Sequence, residues 1–206
     1  MGAARHEGFI PWDDDVDIGM VRNDYDVFLS EGPNIISDEY EICFPGKTEG
    51  YAPMFAKVVK RGTVFETAET KDSGFAQGVF VDIFHYDAVA SDMFTAQQQR
   101  KVCRRKQTLS YLYHSGHAIP PHGGVLGSVE KAVLRAAHGF CKVFLNDECL
   151  RDDFDRWARI GEKRHGGGIM SYVYPVGDVG VPIESVLPVK PIVFEGITLS
   201  GPAVPE

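Results

Sequence analysis

The residues of this chain best suited to chemistry are four aspartates within five positions, Asp13, Asp14, Asp15 and Asp17. Alternate residues of a strand point to one face, so a strand here would project Asp13, Asp15 and Asp17 together at a spacing of roughly 7 Å. Three aligned carboxylates repel one another unless a counter-charge lies between them. Mg²⁺ and Mn²⁺ prefer oxygen ligands of this kind. The pattern therefore predicts a divalent-metal site, with Asp14 turned to the other face.

Three alternatives compete with this metal site. A solvated acidic edge is common for runs of charge, but here the apolar residues 10–12 precede the run and Val16 and Ile18 interrupt it. We expect both Val16 and Ile18 to enter a core. A calcium loop of the D-x-D-x-D-G type would need Gly where Ile18 stands and Glu where Asp24 stands. Charges that only prevent edge-to-edge pairing of strands would need a single aspartate. The metal site is the interpretation that these residues favour.

A further carboxylate, Asp82, interrupts the otherwise apolar segment 78–84. An aspartate in such a strand is almost never fully buried without a partner, so a cap or a salt bridge to a nearby Lys or Arg is one interpretation. The other is that Asp82 completes the metal site, as strand aspartates do in many phosphoryl-transfer enzymes. Asp82 is therefore the candidate fourth ligand.

The order of the predicted elements favours an α+β domain. Short apolar runs separated by turn residues predict strands as far as about Asp87, with a short helix over residues 23–29. Residues 92–115 and 125–164 have the composition of helices. Strands followed by helices indicate a mixed sheet with helices added behind it. We expect one domain over residues 1–206, comprising a metal-binding sheet core (1–90), a helical region (91–168) and an extended tail (169–206).

Composition and charge exclude several function classes. The net charge is −8, from 29 acidic and 21 basic residues, which argues against broad electrostatic binding to nucleic acid. No apolar run approaches the length of about 18 residues that a membrane span requires. No basic segment followed by an apolar one is visible at residue 1, so we expect no secretory signal. The four cysteines include no C-x-x-C pair, so neither zinc nor a disulfide framework is indicated. We expect a cytoplasmic protein.

One segment of the helical region is amphipathic and basic. Its cationic positions follow spacings of four, three and four residues, which places them on one helix face: Lys131, Arg135, His138 and Lys142. Its apolar positions crowd the other side: Val129, Ala132, Val133, Ala136, Phe140 and Phe144. Such a helix could rest on anionic lipid at the inner face of a membrane. The favoured interpretation is an ordinary helix whose apolar side packs on the sheet, since amphipathicity is the default for surface helices.

Two blocks of the chain resemble the LicD family of phosphocholine transferases and related proteins. The first is GAARHEGFIPWDDDVDIGM from residue 2, followed by RNDY from Arg22, and the second is GVFVDIF over residues 78–84. Ala56-Lys57-Val58 and Thr63 between the blocks also match the family's pattern, and Phe194-Glu195-Gly196 resembles a third, weaker element. The similarity covers residues 2–28 and 51–87.

The resemblance implies a nucleotidyltransferase-like fold, distantly similar to that of fukutin-type transferases, and a set of site residues. The metal ligands would be Asp13, Asp15, Asp17 and Asp82, holding Mg²⁺ or Mn²⁺. Among them Asp15, Asp17 and Asp82 would be catalytic, one accepting the proton of the attacking hydroxyl. Arg5 and Lys57 would contact the diphosphate of the donor, with a surface charge or an ion pair as the alternative. His6 would contact the ligand or orient the aspartates.

The implied reaction moves phosphocholine, or a similar phospho-alcohol, from a CDP-linked donor such as CDP-choline. The acceptor would be a hydroxyl of a cell-surface glycan, a teichoic acid or lipopolysaccharide, free or lipid-linked. Family members usually carry a Gly-Thr or Gly-Ser segment before the first block and a continuation after the third. Compared with them, the chain is expected to be shortened at both ends. The alternatives are a non-catalytic nucleotide- or glycan-binding remnant of the same fold, or transfer of another group such as phosphoribitol, phosphoglycerol or a sugar phosphate.

Overall fold

The computed structural model describes residues 2–12, 15–65, 75, 77–116, 122, 124–164, 168–173 and 180–205. Its helices are α1 (Gly2–His6), α2 (Arg22–Ile35), α3 (Met93–His114), α4 (Gly124–Phe144) and α5 (Asp147–Ala158). Its strands are β1 (Asp17–Val21), β2 (Tyr40–Cys43), β3 (Ala56–Lys60), β4 (Phe80–Ala88), β5 (Ile169–Met170), β6 (Lys190–Phe194) and β7 (Ile197–Gly201). Short 3₁₀ helices cover Arg159–Arg164 and Ile183–Ser185.

The sheet is built on β4. Within the described residues the strand order is β1-β4-β3-β2, with β5 pairing the end of β4. β1 runs parallel to β4, whereas β3 and β5 run antiparallel to it. β6 and β7 form a separate antiparallel hairpin in the segment expected to be an extended tail. A mixed sheet followed by a helical C-terminal half confirms the predicted α+β class.

The acidic segment forms a strand later than its alternating pattern predicts. β1 begins at Asp17, so Asp15 precedes it, although the amide of Asp82 donates to the carbonyl of Val16 at 3.0 Å and extends the pairing by one residue. Asp13 and Asp14 lie outside the described residues. Ile18 was expected in a core and is 41% exposed, because the apolar cluster beneath α2 includes Met20 of β1 but does not reach Ile18.

Helix α2 follows β1 without a loop and is twice as long as the predicted helix over residues 23–29. Its Tyr25 is buried with Ile42, Ala56 and Ile83, which come from β2, β3 and β4. This cluster attaches α2 to the sheet, so the residue that opens α2, Arg22, is brought to β4.

The helical half supplies the larger core. Helix α3 occupies the predicted helical segment and packs on α5, and their cluster includes Phe84, Cys103 and Phe154. The predicted helical block 125–164 is divided because Asn146 starts a new helix: its Oδ1 accepts the amide hydrogen of Cys149 at 3.1 Å. In the part of the chain that the structure describes, no helix is long and apolar enough to cross a bilayer.

A buried ionic network joins α2 to the end of β4. Arg22 donates from Nε to Oδ1 of Asp87 at 2.6 Å and from Nη2 to Oδ2 at 2.8 Å. His85 Nδ1 lies 2.7 Å from Asp87 Oδ2, and His85 Nε2 lies 3.0 Å from the carbonyl oxygen of Met54. Burial alone would raise the pKa of Asp87, but the bonds to His85 and Arg22 hold that pKa at about 2.

The depressed pKa of Asp87 predicts a specific acid sensitivity. Asp87 is ionised in the native state down to about pH 2, whereas an unfolded aspartate takes up a proton near pH 3.9, so its stabilisation is present above that value and is lost as the pH falls. We expect the free energy of unfolding to fall by about 2 kcal/mol on this account between about pH 4 and about pH 2. Urea unfolding at a series of pH values measures this fall.

The variant Asp87→Asn should lose that part of the pH dependence, and the exposed Asp38→Asn should keep it. An Asp87→Asn variant with the wild-type slope over this pH range would show that Asp87 is not the group responsible.

Candidate functional site

The register of three strands brings the candidate residues together. Asp17 of β1 lies opposite Asp82 of β4, and Asp82 lies opposite Lys57 of β3. Neighbouring strands are about 4.8 Å apart, and residues directly opposite one another project to the same face. Asp17, Asp82 and Lys57 therefore form one row across the sheet, here called the carboxylate row. The sequence predicted the members of this row, but not their order.

Lys57 and Asp82 form a buried ion pair at the centre of the carboxylate row. The ammonium Nζ donates to Asp82 Oδ1 at 2.6 Å, and both side chains are nearly inaccessible to solvent. The ammonium also lies over the Phe80 ring, 3.4 Å from its centroid. The ion pair that was the alternative interpretation for both residues is thus present in the structure. The predicted contact of Lys57 with a diphosphate stays a prediction.

In the Lys57–Asp82 pair, burial disfavours the charged form of each side chain more than the partner's charge favours it. Burial raises the pKa of Asp82 and the charge of Asp15 raises it further, while Lys57 acts in the opposite direction. Burial lowers the pKa of Lys57 despite the nearby charges of Asp82, Asp17 and Asp15. For each partner the cost of burial outweighs the mutual attraction. Because three carboxylates face one ammonium, a further cation at the carboxylate row would offset the excess negative charge.

Aromatic side chains border the carboxylate row on the same face of the sheet. A Cβ added at Gly19 would lie 2.6 Å from the ring of Tyr86, so this ring covers the backbone of β1 next to Asp17. Burial raises the pKa of the Tyr86 hydroxyl, and the charge of Asp17 adds to that rise. Tyr86 and Phe80 were not predicted as site residues, although both stand an even number of residues from Asp82 on β4 and so share its face.

The described part of the carboxylate set is not a complete metal centre. Within the described ranges, which leave out Asp13, no three His, Cys, Asp or Glu side chains converge so that they could hold a metal ion. The oxygen donors that are described, Asp15 and Asp17 near Asp82, suit a hard cation such as Mg²⁺. The four-carboxylate ligand set, with its Mg²⁺ or Mn²⁺, therefore stays a prediction.

Arg5 and His6 lie on α1, outside the strands that carry the carboxylate row. Both are exposed on α1, and among the described residues neither forms a hydrogen bond or an ion pair with Lys57 or Asp82. Their predicted roles at the donor are not tested by this arrangement.

The segment Phe194-Glu195-Gly196 holds the chain that leads from α1 to the acidic run. Glu195 Oε1 accepts the amide hydrogen of Phe9 at 2.9 Å, and the Glu195 amide donates to the carbonyl of Glu7 at 2.7 Å. The rings of Phe9 and Phe194 meet edge to face at 4.9 Å. Gly8 permits this approach, since a Cβ there would lie 2.3 Å from Glu195 Oε1. The turn of the β6–β7 hairpin thus positions the residues just before the acidic run.

The buried Lys57–Asp82 pair predicts that removing Lys57 destabilises the protein much more than removing an exposed lysine. Lys57→Met leaves the Asp82 carboxylate buried without its partner, so the free energy of unfolding should fall by about 3 kcal/mol. This is the lower end of the cost of breaking a buried pair, because Asp82 can take up a proton. Urea unfolding at neutral pH provides the measurement.

Lys60→Met, on the same strand but exposed, is the matched control and should change the free energy of unfolding by less than about 0.5 kcal/mol. Adding Asp82→Asn to Lys57→Met should restore part of the lost stability. Equal stability of the two single lysine variants would contradict a buried Lys57–Asp82 pair.

Comparison with known proteins places the carboxylate row in a family. The family described as LicD/FKTN/FKRP, nucleotidyltransferase domain, matches residues 1–115, which include every residue of the carboxylate row. The lipopolysaccharide cholinephosphotransferase LicD of Haemophilus influenzae is 33% identical over 93 residues, which are 45% of this chain and 34% of that protein. The match thus spans about a third of the curated relative's length. No solved structure matches the chain. Because the family match covers more than half of the 206 residues, the chain belongs to the LicD family.

Proposed function

We propose that the protein is a divalent-metal-dependent transferase of phosphocholine, or of a similar phospho-alcohol. The donor is CDP-choline or a related CDP-alcohol, and the acceptor is a hydroxyl of a cell-surface glycan such as lipopolysaccharide or a teichoic acid. The observation that carries the proposal is the carboxylate row, in which Asp17 and Asp82 stand side by side within the part of the chain that matches the family. The name of the Haemophilus relative, a lipopolysaccharide cholinephosphotransferase, supports the same class of reaction.

The metal would be held by the carboxylates of Asp13, Asp15, Asp17 and Asp82. When bound, Mg²⁺ or Mn²⁺ would supply positive charge that offsets the negative charge developing on CMP as the P–O bond within the donor's diphosphate breaks. The residues of this chain have complementary tasks. Lys57 is positioned by β3 and by its contact with Phe80, so its ammonium is held beside the carboxylates at a fixed place. Arg5 and Lys57 are the proposed cations for the donor's diphosphate, and His6 is proposed to contact the ligand.

A proton must leave the acceptor hydroxyl when its oxygen attacks phosphorus. A carboxylate within reach of the acceptor hydroxyl can take this proton. Asp82 lies at the centre of the carboxylate row, opposite Asp17. We therefore assign the general base to Asp82 or to one of the neighbouring aspartates, Asp15 and Asp17.

The activity test compares carboxylate variants in one assay. The protein is incubated with CDP-choline, Mg²⁺ and lipopolysaccharide or teichoic acid, and CMP release is followed together with choline incorporation into the glycan. Asp17→Asn and Asp82→Asn should each lower the rate by about 100-fold or more, because several kcal/mol of transition-state stabilisation depend on the ligand set. Chelation with EDTA should abolish the reaction, and added Mn²⁺ or Mg²⁺ should restore it.

Asp38→Asn is the matched control for these variants, since it makes the same chemical change at an exposed site on the loop before β2 and should keep the wild-type rate. Full activity of Asp17→Asn and Asp82→Asn would overturn the assignment of the carboxylates. CMP release from CDP-ribitol or CDP-glycerol, but not from CDP-choline, would change the transferred group. Binding of CDP-choline without CMP release would identify a non-catalytic member of the family.

A further inference from the structure

Helix α4 presents an apolar surface to solvent along its whole length. The surface, here called the apolar stripe, consists of Val125, Val129, Val133, Ala136, Phe140 and Val143. At 100° per residue these positions fall within one narrow sector of the helix, and they extend over about 27 Å. Their exposure ranges for the large side chains from 53% at Val129 to 84% at Val125. Isolated exposed valines are ordinary, but a continuous row of this length indicates a contact surface.

The apolar stripe is not the face by which α4 packs on the protein. That face carries the buried Gly127 and Cys141 and lies against α3. Two polar contacts fix the orientation: His138 Nδ1 donates to the carbonyl of Leu112 at 2.8 Å, and the Lys142 ammonium lies 4.1 Å from the ring centroid of Tyr113. The expectation that Val129, Val133 and Phe140 pack on the sheet is therefore wrong, because the helix has a third face that meets α3 instead.

Basic residues lie along one edge of the apolar stripe. Lys131, Arg135 and Lys142 occupy the sector between the stripe and the packed face, and all three are exposed. The only acidic residue of α4 is Glu130, so the helix is cationic in a chain of net charge −8. His138, expected on the same cationic face, is instead half-buried in its bond to α3. The surface of α4 thus combines apolar and positive groups.

We propose that α4 docks on an anionic membrane surface, with the apolar stripe in the boundary between headgroups and acyl chains. A helix that lies in the membrane plane needs an apolar face, a basic flank and a third side free to carry the rest of the protein, and α4 has each of these. The charge distribution favours this occupant over a second copy of the chain. Two copies paired antiparallel through the stripe would bring their basic flanks together, whereas anionic headgroups neutralise them.

Flotation of the full chain with lipid vesicles tests this docking. Vesicles of phosphatidylcholine alone are compared with vesicles in which one quarter of the lipid is phosphatidylglycerol. The protein should float with the anionic vesicles, bind neutral ones at least about 10-fold more weakly, and dissociate as salt is raised. These vesicles contain no CDP-linked donor and no glycan, so the result is independent of the proposed transferase activity.

Two sets of variants separate the charge of α4 from its apolar stripe. Lys131→Gln/Arg135→Gln should lower the partition coefficient by about 30-fold, since each basic residue near an anionic surface contributes roughly a factor of five. Val129→Ser/Val133→Ser should lower it at least about 10-fold. Arg104→Gln/Arg105→Gln removes the same charge from exposed positions of α3 and should change it less than about twofold. All the replaced side chains are exposed, so circular dichroism should show unchanged thermal unfolding.

Three outcomes would overturn the proposal. The first is binding of the α4 variants that equals wild type. The second is equal loss of binding in the α3 control, which would indicate a response to net charge alone. The third is absence of vesicle binding together with a dimer, seen by light scattering, that Val129→Ser/Val133→Ser dissociates. That result would assign the stripe to contact between copies of the chain.

Discussion

The structure depends on one constraint: its central strand carries two carboxylates that must be buried. β4 pairs with neighbours along both edges, so Asp82 and Asp87 lose most of their hydration when the sheet forms. A buried carboxylate needs a cation with good geometry. Lys57 reaches Asp82 from β3, and Arg22 reaches Asp87 from the first residue of α2. The antiparallel β3–β4 register and the direct passage from β1 into α2 bring those cations to their places.

The two pairs differ in how fully the charge of the buried carboxylate is compensated. Asp87 has two bonds from one guanidinium and a third contact with His85, and its depressed pKa shows that its partners outweigh its burial. This network is self-sufficient and fixes α2 to the sheet. Among the described residues Asp82 pairs with the Lys57 ammonium and has two acidic neighbours, Asp15 and Asp17, and burial raises its pKa more than Lys57 lowers it. The carboxylate row therefore has excess negative charge, which is the physical property that a cation-dependent reaction would use.

Two parts of the chain outside the sheet bear on the candidate site and on the proposed membrane contact: the Glu195 turn and helix α4. The Glu195 turn holds residues 7–9, which lead into the acidic run, so a segment near the C-terminus positions the approach to the candidate site. Helix α4 is attached to the core by one narrow face and turns a different, apolar face outward. If the proposed acceptor is lipid-linked, docking of α4 on the membrane would bring the proposed transferase site close to that acceptor. The two proposals have separate tests.

The sequence by itself determined the α+β class, the family, and which residues could do chemistry, because these depend on residue type and local spacing. The alternation around Asp17 and the isolated Asp82 in an apolar run were enough to select both as candidate site residues. Only the tertiary structure decided their neighbours. The pairing of Asp82 with Lys57, the position of Tyr86 over Gly19 and the late start of β1 depend on which residues of neighbouring strands lie opposite one another, and no single segment of the sequence shows this. The outward face of α4 was decided in the same way: a helix with three distinct faces can pack through any of them, and α4 packs on α3 through the face that carries Gly127 and Cys141.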